Sequence, residues 1–145
     1  MLSLGFEEKL SSRLSTSFGL TSTTVTEVGL EIFLAANSVY FVELLAPVNS
    51  VLATGSKLGL YYTGTFTTDN DTLVQLRPVV SGGTSVLVIS AGSAVEDTTP
   101  EHLYHFAGTV LTSTSGRLYV KAAKYSGADD DFPILAGSCL VARRL

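Results

Sequence analysis

The chain has 145 residues, 46% of them hydrophobic but only 15% charged, and a net charge of -4; an average soluble domain carries roughly 25% charged residues. That length suits one domain with one core. The acidic balance argues against nucleic-acid binding, which needs a basic surface to neutralise phosphates. No run of 18 apolar residues offers a membrane span, and the lone Cys139 excludes an intrachain disulfide framework. A chain so poor in charge has little with which to cover its outer surface. Part of that surface is therefore expected to lie against other protein, in an oligomer or a larger assembly.

The first stretch differs from the rest. Phe6, Leu10 and Leu14 fall at i, i+4 and i+8, the spacing of one face of a short helix. Glu7 and Glu8 near its start and Arg13 near its end suit the helix dipole. An extended arm that docks the same residues, together with Phe18, onto a neighbour fits equally well. In either form, residues 1–22 are expected to be an assembly anchor and residues 23–145 the folded domain. The start lacks a basic stretch followed by an apolar run, so no signal peptide is expected. The chain is expected to be made in a reducing cytosol and to stay there until assembly.

From about residue 23 the pattern is that of strands. Val25, Thr26, Val28, Ile32 and Phe33 predict a first strand ending at the Ala35-Ala36-Asn37-Ser38 turn. Residues 39–45, Val-Tyr-Phe-Val-Glu-Leu-Leu, predict a strand apolar on both faces and hence covered on both. In residues 57–66, Leu58, Leu60, Tyr62 and Phe66 share one side, and Gly59 and Gly64 suggest bulges or close backbone approach. Residues 73–80 predict a strand whose Pro78 favours an edge, and residues 85–90 a short apolar strand. Residues 91–101 read as the longest loop, and three further strands complete the chain. About eight strands at regular spacing predict an all-β antiparallel jelly-roll or sandwich.

Motifs for chemistry are weak. His102 and His105 are spaced i, i+3, which puts them on opposite faces of a strand and makes a poor chelate. Asp129, Asp130 and Asp131 crowd one loop as weak calcium candidates, without EF-hand spacing. No Gly-x-Ser-x-Gly nucleophile turn or phosphate loop is present. Glu43 is the best single candidate for a catalytic carboxylate, although a strand carboxylate paired with Arg across the sheet is commoner. Cys139 reads as a buried, inert thiol. No cofactor is expected.

Four stretches resemble small virion proteins of tailed bacteriophages. They are the strand at residues 34–46, the Lys57-Leu-Gly-Leu-Tyr-Tyr-Thr-Gly-Thr strand, the hairpin at residues 104–118, and the Leu135-Ala-Gly-Ser-Cys-Leu-Val-Ala-Arg-Arg-Leu145 stretch. The resemblance spans roughly residues 25–145. In that family such domains resemble the trimeric jelly-rolls of tumour-necrosis-factor and complement-C1q-like proteins. They serve as capsid decoration (cement) proteins or as parts of tail fibres and tail tips. The resemblance implies a non-enzymatic homotrimer on the outer surface of a virion, bound to the major capsid protein. Its capsid anchor would be Phe6, Leu10, Leu14 and Phe18, and Tyr40, Tyr62, Tyr104, Phe106 and Tyr119 are candidates for the trimer interface. A tail-tip, fibre or adaptor component is the alternative, and a small glycan-active sandwich enzyme is the reading from another class. Residues 81–101 have no counterpart in that family and are expected to project outward as a loop.

Overall fold

The structure, a computed structural model, describes residues 9–48, 56–67, 75–78, 87–88, 95–97, 103–124 and 132–145. These residues form twelve strands and no helix: β1 (Lys9–Arg13), β2 (Phe18–Leu20), β3 (Thr26–Leu34), β4 (Ser38–Pro47), β5 (Ser56–Tyr62), β6 (Gln75–Pro78), β7 (Leu87–Val88), β8 (Val95–Asp97), β9 (Leu103–Thr112), β10 (Gly116–Lys124), β11 (Phe132–Ile134) and β12 (Cys139–Arg144). The all-β expectation holds. The count exceeds eight because β1, β2, β8 and β11 are too short to show a sequence period of their own.

Two antiparallel sheets face each other. One has the order β1-β12-β4-β9-β6-β7 and the other β3-β10-β5-β8, while β11 and β2 form a small third sheet. Apart from β6 and β7, neighbours in these sheets are not consecutive in sequence, which is the crossing connectivity of a jelly-roll. The core between the sheets follows from alternation, since side chains two apart share a face. In β4 the inward residues are Tyr40, Val42, Leu44 and Ala46; in β3 they are Val28, Leu30, Ile32 and Leu34. Leu58 and Leu60 of β5, Leu118 and Val120 of β10, and Leu140 of β12 complete the centre. Tyr62 and Phe66 pack on this core with ring centroids 4.4 Å apart, so the side shared by Leu58, Leu60, Tyr62 and Phe66 is the inner one.

The turn after β3 is held by a buried hydroxyl. Thr112 Oγ1 accepts from the Ser38 amide at 3.1 Å and lies 2.6 Å from the Ala35 carbonyl, to which it donates. Asn37 has φ of 50°, a left-handed conformation that asparagine tolerates better than most residues. Beside this turn, where Gly116 pairs with Leu34, two glycines let backbones touch. A Cβ on Gly116 would lie 2.4 Å from Gly64 N and 2.8 Å from Gly64 Cα. Gly64 thus marks the close backbone approach expected of it.

Several expectations need correction. Residues 9–20 form neither a helix nor a free arm. Leu10, Leu14, Phe18 and Leu20 are all even-numbered, so they also fit the period of a strand, and β12 offers β1 a backbone edge. Lys9 to Arg13 pair with Arg143 to Cys139, and the turn closes through Leu14 N to Ser138 O and Gly137 N to Leu14 O, both 2.9 Å. Leu14 and Leu20 are core residues, so a boundary at residue 22 does not divide an arm from a domain. Pro78 does not mark an edge strand, because β6 lies between β9 and β7. It ends β6 just past the two residues that β7 covers. Residues 95–97, expected within a long loop, extend the four-stranded sheet as β8.

Gly116→Ala should therefore lower stability by about 1–3 kcal/mol, because backbone must move to admit the methyl group. Gly19→Ala, where a Cβ meets nothing within 4 Å, should change it by less than about 0.5 kcal/mol. Urea unfolding midpoints at constant m-value check the pair.

Candidate functional site: two unlike outer faces

The alternation that buries one side of each sheet exposes the other. The two outer faces differ in chemistry, and each is built by strand register.

On the four-stranded sheet, Tyr119 of β10 stands directly opposite Tyr61 of β5, and their rings stack with centroids 5.6 Å apart. Tyr61 folds back over Gly59, where a Cβ would lie 2.6 Å from the ring. Arg117 lies over the Tyr119 ring at 4.0 Å, and Lys121 lies 5.0 Å from the Tyr61 centroid. The Arg117 guanidinium donates to Glu27 at 2.9 and 3.1 Å and to Glu31 at 2.7 Å. Both carboxylates come from β3, whose register against β10 shifts near Gly29, at φ of 91°. The Arg117 hydrogen bonds hold the Glu27 carboxyl below its usual range, and burial followed by the neighbouring Tyr119 pushes the Tyr61 phenol up. Tyr61 and Tyr119 are thus capped by cations, and Arg117 is in turn neutralised by acids, while Phe33, opposite Arg117 in the register, is exposed on the same face.

The outer face of the six-stranded sheet lacks that cover. Leu145 N donates to Val39 O at 2.9 Å, and Val39 pairs with Leu111, so three apolar side chains lie in one row across three chain segments. They are 70%, 36% and 38% exposed, which makes them three of the four most exposed large hydrophobic residues among those described; the fourth is Phe33, on the other sheet. The next rows run Lys9, Arg143, Phe41, Thr109, then Ser11, Val141, Glu43, Ala107, then Arg13, Cys139, Leu45, His105. Phe41, Leu45, Val141 and Cys139 are half-buried by their neighbours. In the middle of this apolar field His105 Nε2 meets Glu43 Oε2 at 2.9 Å.

The expected site residues are redistributed by these geometries. Leu10, Leu14 and Phe18 belong to or pack on the core, and Phe6 lies outside the described residues. Tyr40, Tyr104 and Phe106 cannot form an interface between copies, because they point inward and are buried within one chain. Tyr62 is turned to the core as well, its hydroxyl donating to Thr114 O at 2.7 Å. Tyr119 is outward, but on the charged sheet. Glu43 pairs with His105, not with an arginine. Cys139 is half-buried on the outer face and not in the core. His102 and the loop with Asp129, Asp130 and Asp131 lie outside the described residues. Among the described residues no cluster of three metal-ligating side chains occurs.

The residues missed are Val39, Phe41, Leu45, Leu111 and Val141. The signal for them was present, since residues 39–45 read as apolar on both faces. Preference for aromatics selected the inward half of that strand.

No family model and no curated protein matches the chain. Among solved structures it is similar to that of Eiger TNF from S. frugiperda, at 12% identity and a TM-score of 0.50, covering 96% of this chain and 92% of that one. The domain is therefore a jelly-roll of the tumour-necrosis-factor type. At that identity the likeness concerns the fold.

Glu27 should titrate below the usual carboxylate range, and Arg117→Gln should return it there. The stabilising effect of a lowered carboxyl is present at neutral pH and lost as pH falls through its shifted midpoint. Carboxyl-carbon NMR titration of both proteins checks the direction.

Proposed function

We propose that the chain is a non-enzymatic structural protein that works as a homotrimer, with the outer face of the six-stranded sheet as the surface between copies. The observation that carries this reading is the contrast between the two outer faces. One caps Tyr61 and Tyr119 with Arg117 and Lys121 and exposes Phe33, while the other leaves Val39, Leu111 and Leu145 together in one open row with Phe41, Leu45 and Val141 beside them. Burial of apolar surface contributes about 25 cal/mol per Å² before the costs of association. The charge-poor composition points the same way, and homo-oligomers with closed symmetry are the commonest soluble assemblies.

The resemblance to tailed-phage virion proteins supplies the finer reading. The trimer is a capsid decoration protein, seated on the outer surface of the shell and binding the major capsid protein. The mechanism is binding alone, with each trimer bridging shell subunits. With Leu10, Leu14 and Phe18 committed to the fold, an anchor to the shell is left to residues before Lys9, with Phe6 its apolar candidate. Deletion of residues 1–8, rather than 1–20, is the variant that tests it, since deletion to residue 20 removes β1, β2 and two core leucines.

Leu111→Asp should raise the concentration at which trimers form by about a hundredfold or more, equivalent to about 5.5 kcal/mol per trimer. Phe33→Ser, on the other sheet, should leave it unchanged. Sedimentation velocity over a dilution series reads both, and a monomeric wild type at all concentrations would contradict the trimer. Counting this chain against the main shell protein in purified particles, by quantitative mass spectrometry, tests the location. Hundreds of copies fit decoration, three to twelve move it to the tail or portal vertex, and none ends the virion reading.

A further inference from the structure

The outer face of the six-stranded sheet is apolar at its centre and basic at its margin. Lys9 and Arg143 stand in the row of Phe41, and Arg13 in the row of Cys139 and Leu45; all three are exposed. Register sets Arg77 of β6 opposite Ala107, in the row of Glu43. Against these four cations, Glu43 is the one carboxylate on the face among the described residues, and it is held by His105 at 2.9 Å. Lys9, Arg13 and Arg143 make no ion pair among the described residues, whereas Arg117 on the other sheet has two. The whole chain holds 13 carboxylates and 9 lysines and arginines. Less one carboxylate and four cations, the rest of it carries 12 acids and 5 bases. The face is therefore basic on a chain that is otherwise acidic.

We infer that this face is complementary to a different, acidic surface of a second copy and not to itself, with Lys9, Arg13 and Arg143 as the residues that select that surface. The inference rests on the reading of this face as the surface between copies. Paired with itself about a two-fold axis, the face would set cations against cations where water is excluded, with Glu43 already engaged. Like charges across an interface are costly, whereas opposite charges at its rim steer the encounter and fix the register. The rest of the same chain supplies the opposite sign in excess. A contact between two unlike surfaces passes from copy to copy, and a rotation of one third of a turn closes it at three. The apolar row of Val39, Leu111 and Leu145 supplies buried area, and the basic margin decides which surface lies against it.

The test is sedimentation velocity of the full chain at one pH, from about 0.1 to about 0.5 M sodium chloride, over which the screening length falls from about 10 Å to below about 5 Å. Attraction between unlike surfaces weakens with salt, so the wild-type midpoint concentration should rise about tenfold. The triple variant Lys9→Gln, Arg13→Gln, Arg143→Gln, shown by circular dichroism to be folded, should assemble about tenfold more weakly at the lower salt and respond less than about twofold over the range. A face that pairs with itself gives the reverse signs, with assembly tightened by salt and by the triple substitution. Either reversed sign, or a wild type indifferent to salt, overturns the inference and leaves the assembly standing.

A mixing experiment reads the pairing of unlike surfaces directly. Leu111→Asp spoils its own face but keeps its acidic surface. Labelled with a fluorophore at its amino terminus, it should co-sediment with an excess of unlabelled wild type at concentrations where wild type assembles. A labelled variant that stays monomeric beside assembled wild type overturns the inference. Absence of wild-type assembly at every salt concentration overturns the trimer and this inference with it.

Discussion

A two-sheet sandwich buries two faces and presents two more to its surroundings, and this chain has too few charges to make both of those compatible with water. Everything else in the structure is arranged around that shortage. The four-stranded sheet takes a concentrated share of the described charges. Arg117 is fixed by two carboxylates and lies on Tyr119, and Lys121 covers the neighbouring ring. The six-stranded sheet carries its cations on β1, β12 and β6 and leaves the middle of β4 and β9 to Val39, Phe41, Leu45 and Leu111. The asymmetry between the faces, not any constellation of reactive groups, is what the structure offers as a guide to function.

The core that supports these faces is set by parity. Even-numbered residues of β3, β4, β5, β10 and β12 point inward, and the bulge near Gly29 keeps that parity while shifting the pairing with β10. The same bulge region carries Glu27 and Glu31, so a backbone irregularity and the charged network arise from one stretch of chain. Glycines do local work where backbones meet. Gly116 and Gly64 let two turns touch, and Gly59 makes room for the ring of Tyr61.

Much of this architecture was legible in the residues. The alternation in residues 57–66 identified the inward side of β5, and the run at residues 39–45 identified a strand that is apolar on both faces. The start of the chain was not legible, because Leu10 and Leu14 fit a helix period and a strand period alike. Only the free edge of β12 decides between them, and that edge is a tertiary fact. The candidate interface was half legible. Where both faces of a strand are apolar, composition cannot say which half faces the core, and the larger aromatics Tyr40 and Phe106 were taken inward by their volume. The partner of Glu43 depends on register between β4 and β9, which no local pattern encodes. The tumour-necrosis-factor-like connectivity agrees with the resemblance on fold alone, while the virion role still rests on short strand and turn sequences.

Cys139 offers the most direct measurement of the central claim, that the six-stranded sheet is covered by further copies. It lies half-buried on that outer face, between Arg13 and Leu45. Its rate of reaction with a thiol reagent should be followed over a dilution series together with the assembly state. The account predicts slow labelling in the assembled protein and a rate that rises in step with the monomer fraction. An equal rate in assembled and dissociated protein would contradict it and place the surface between copies elsewhere.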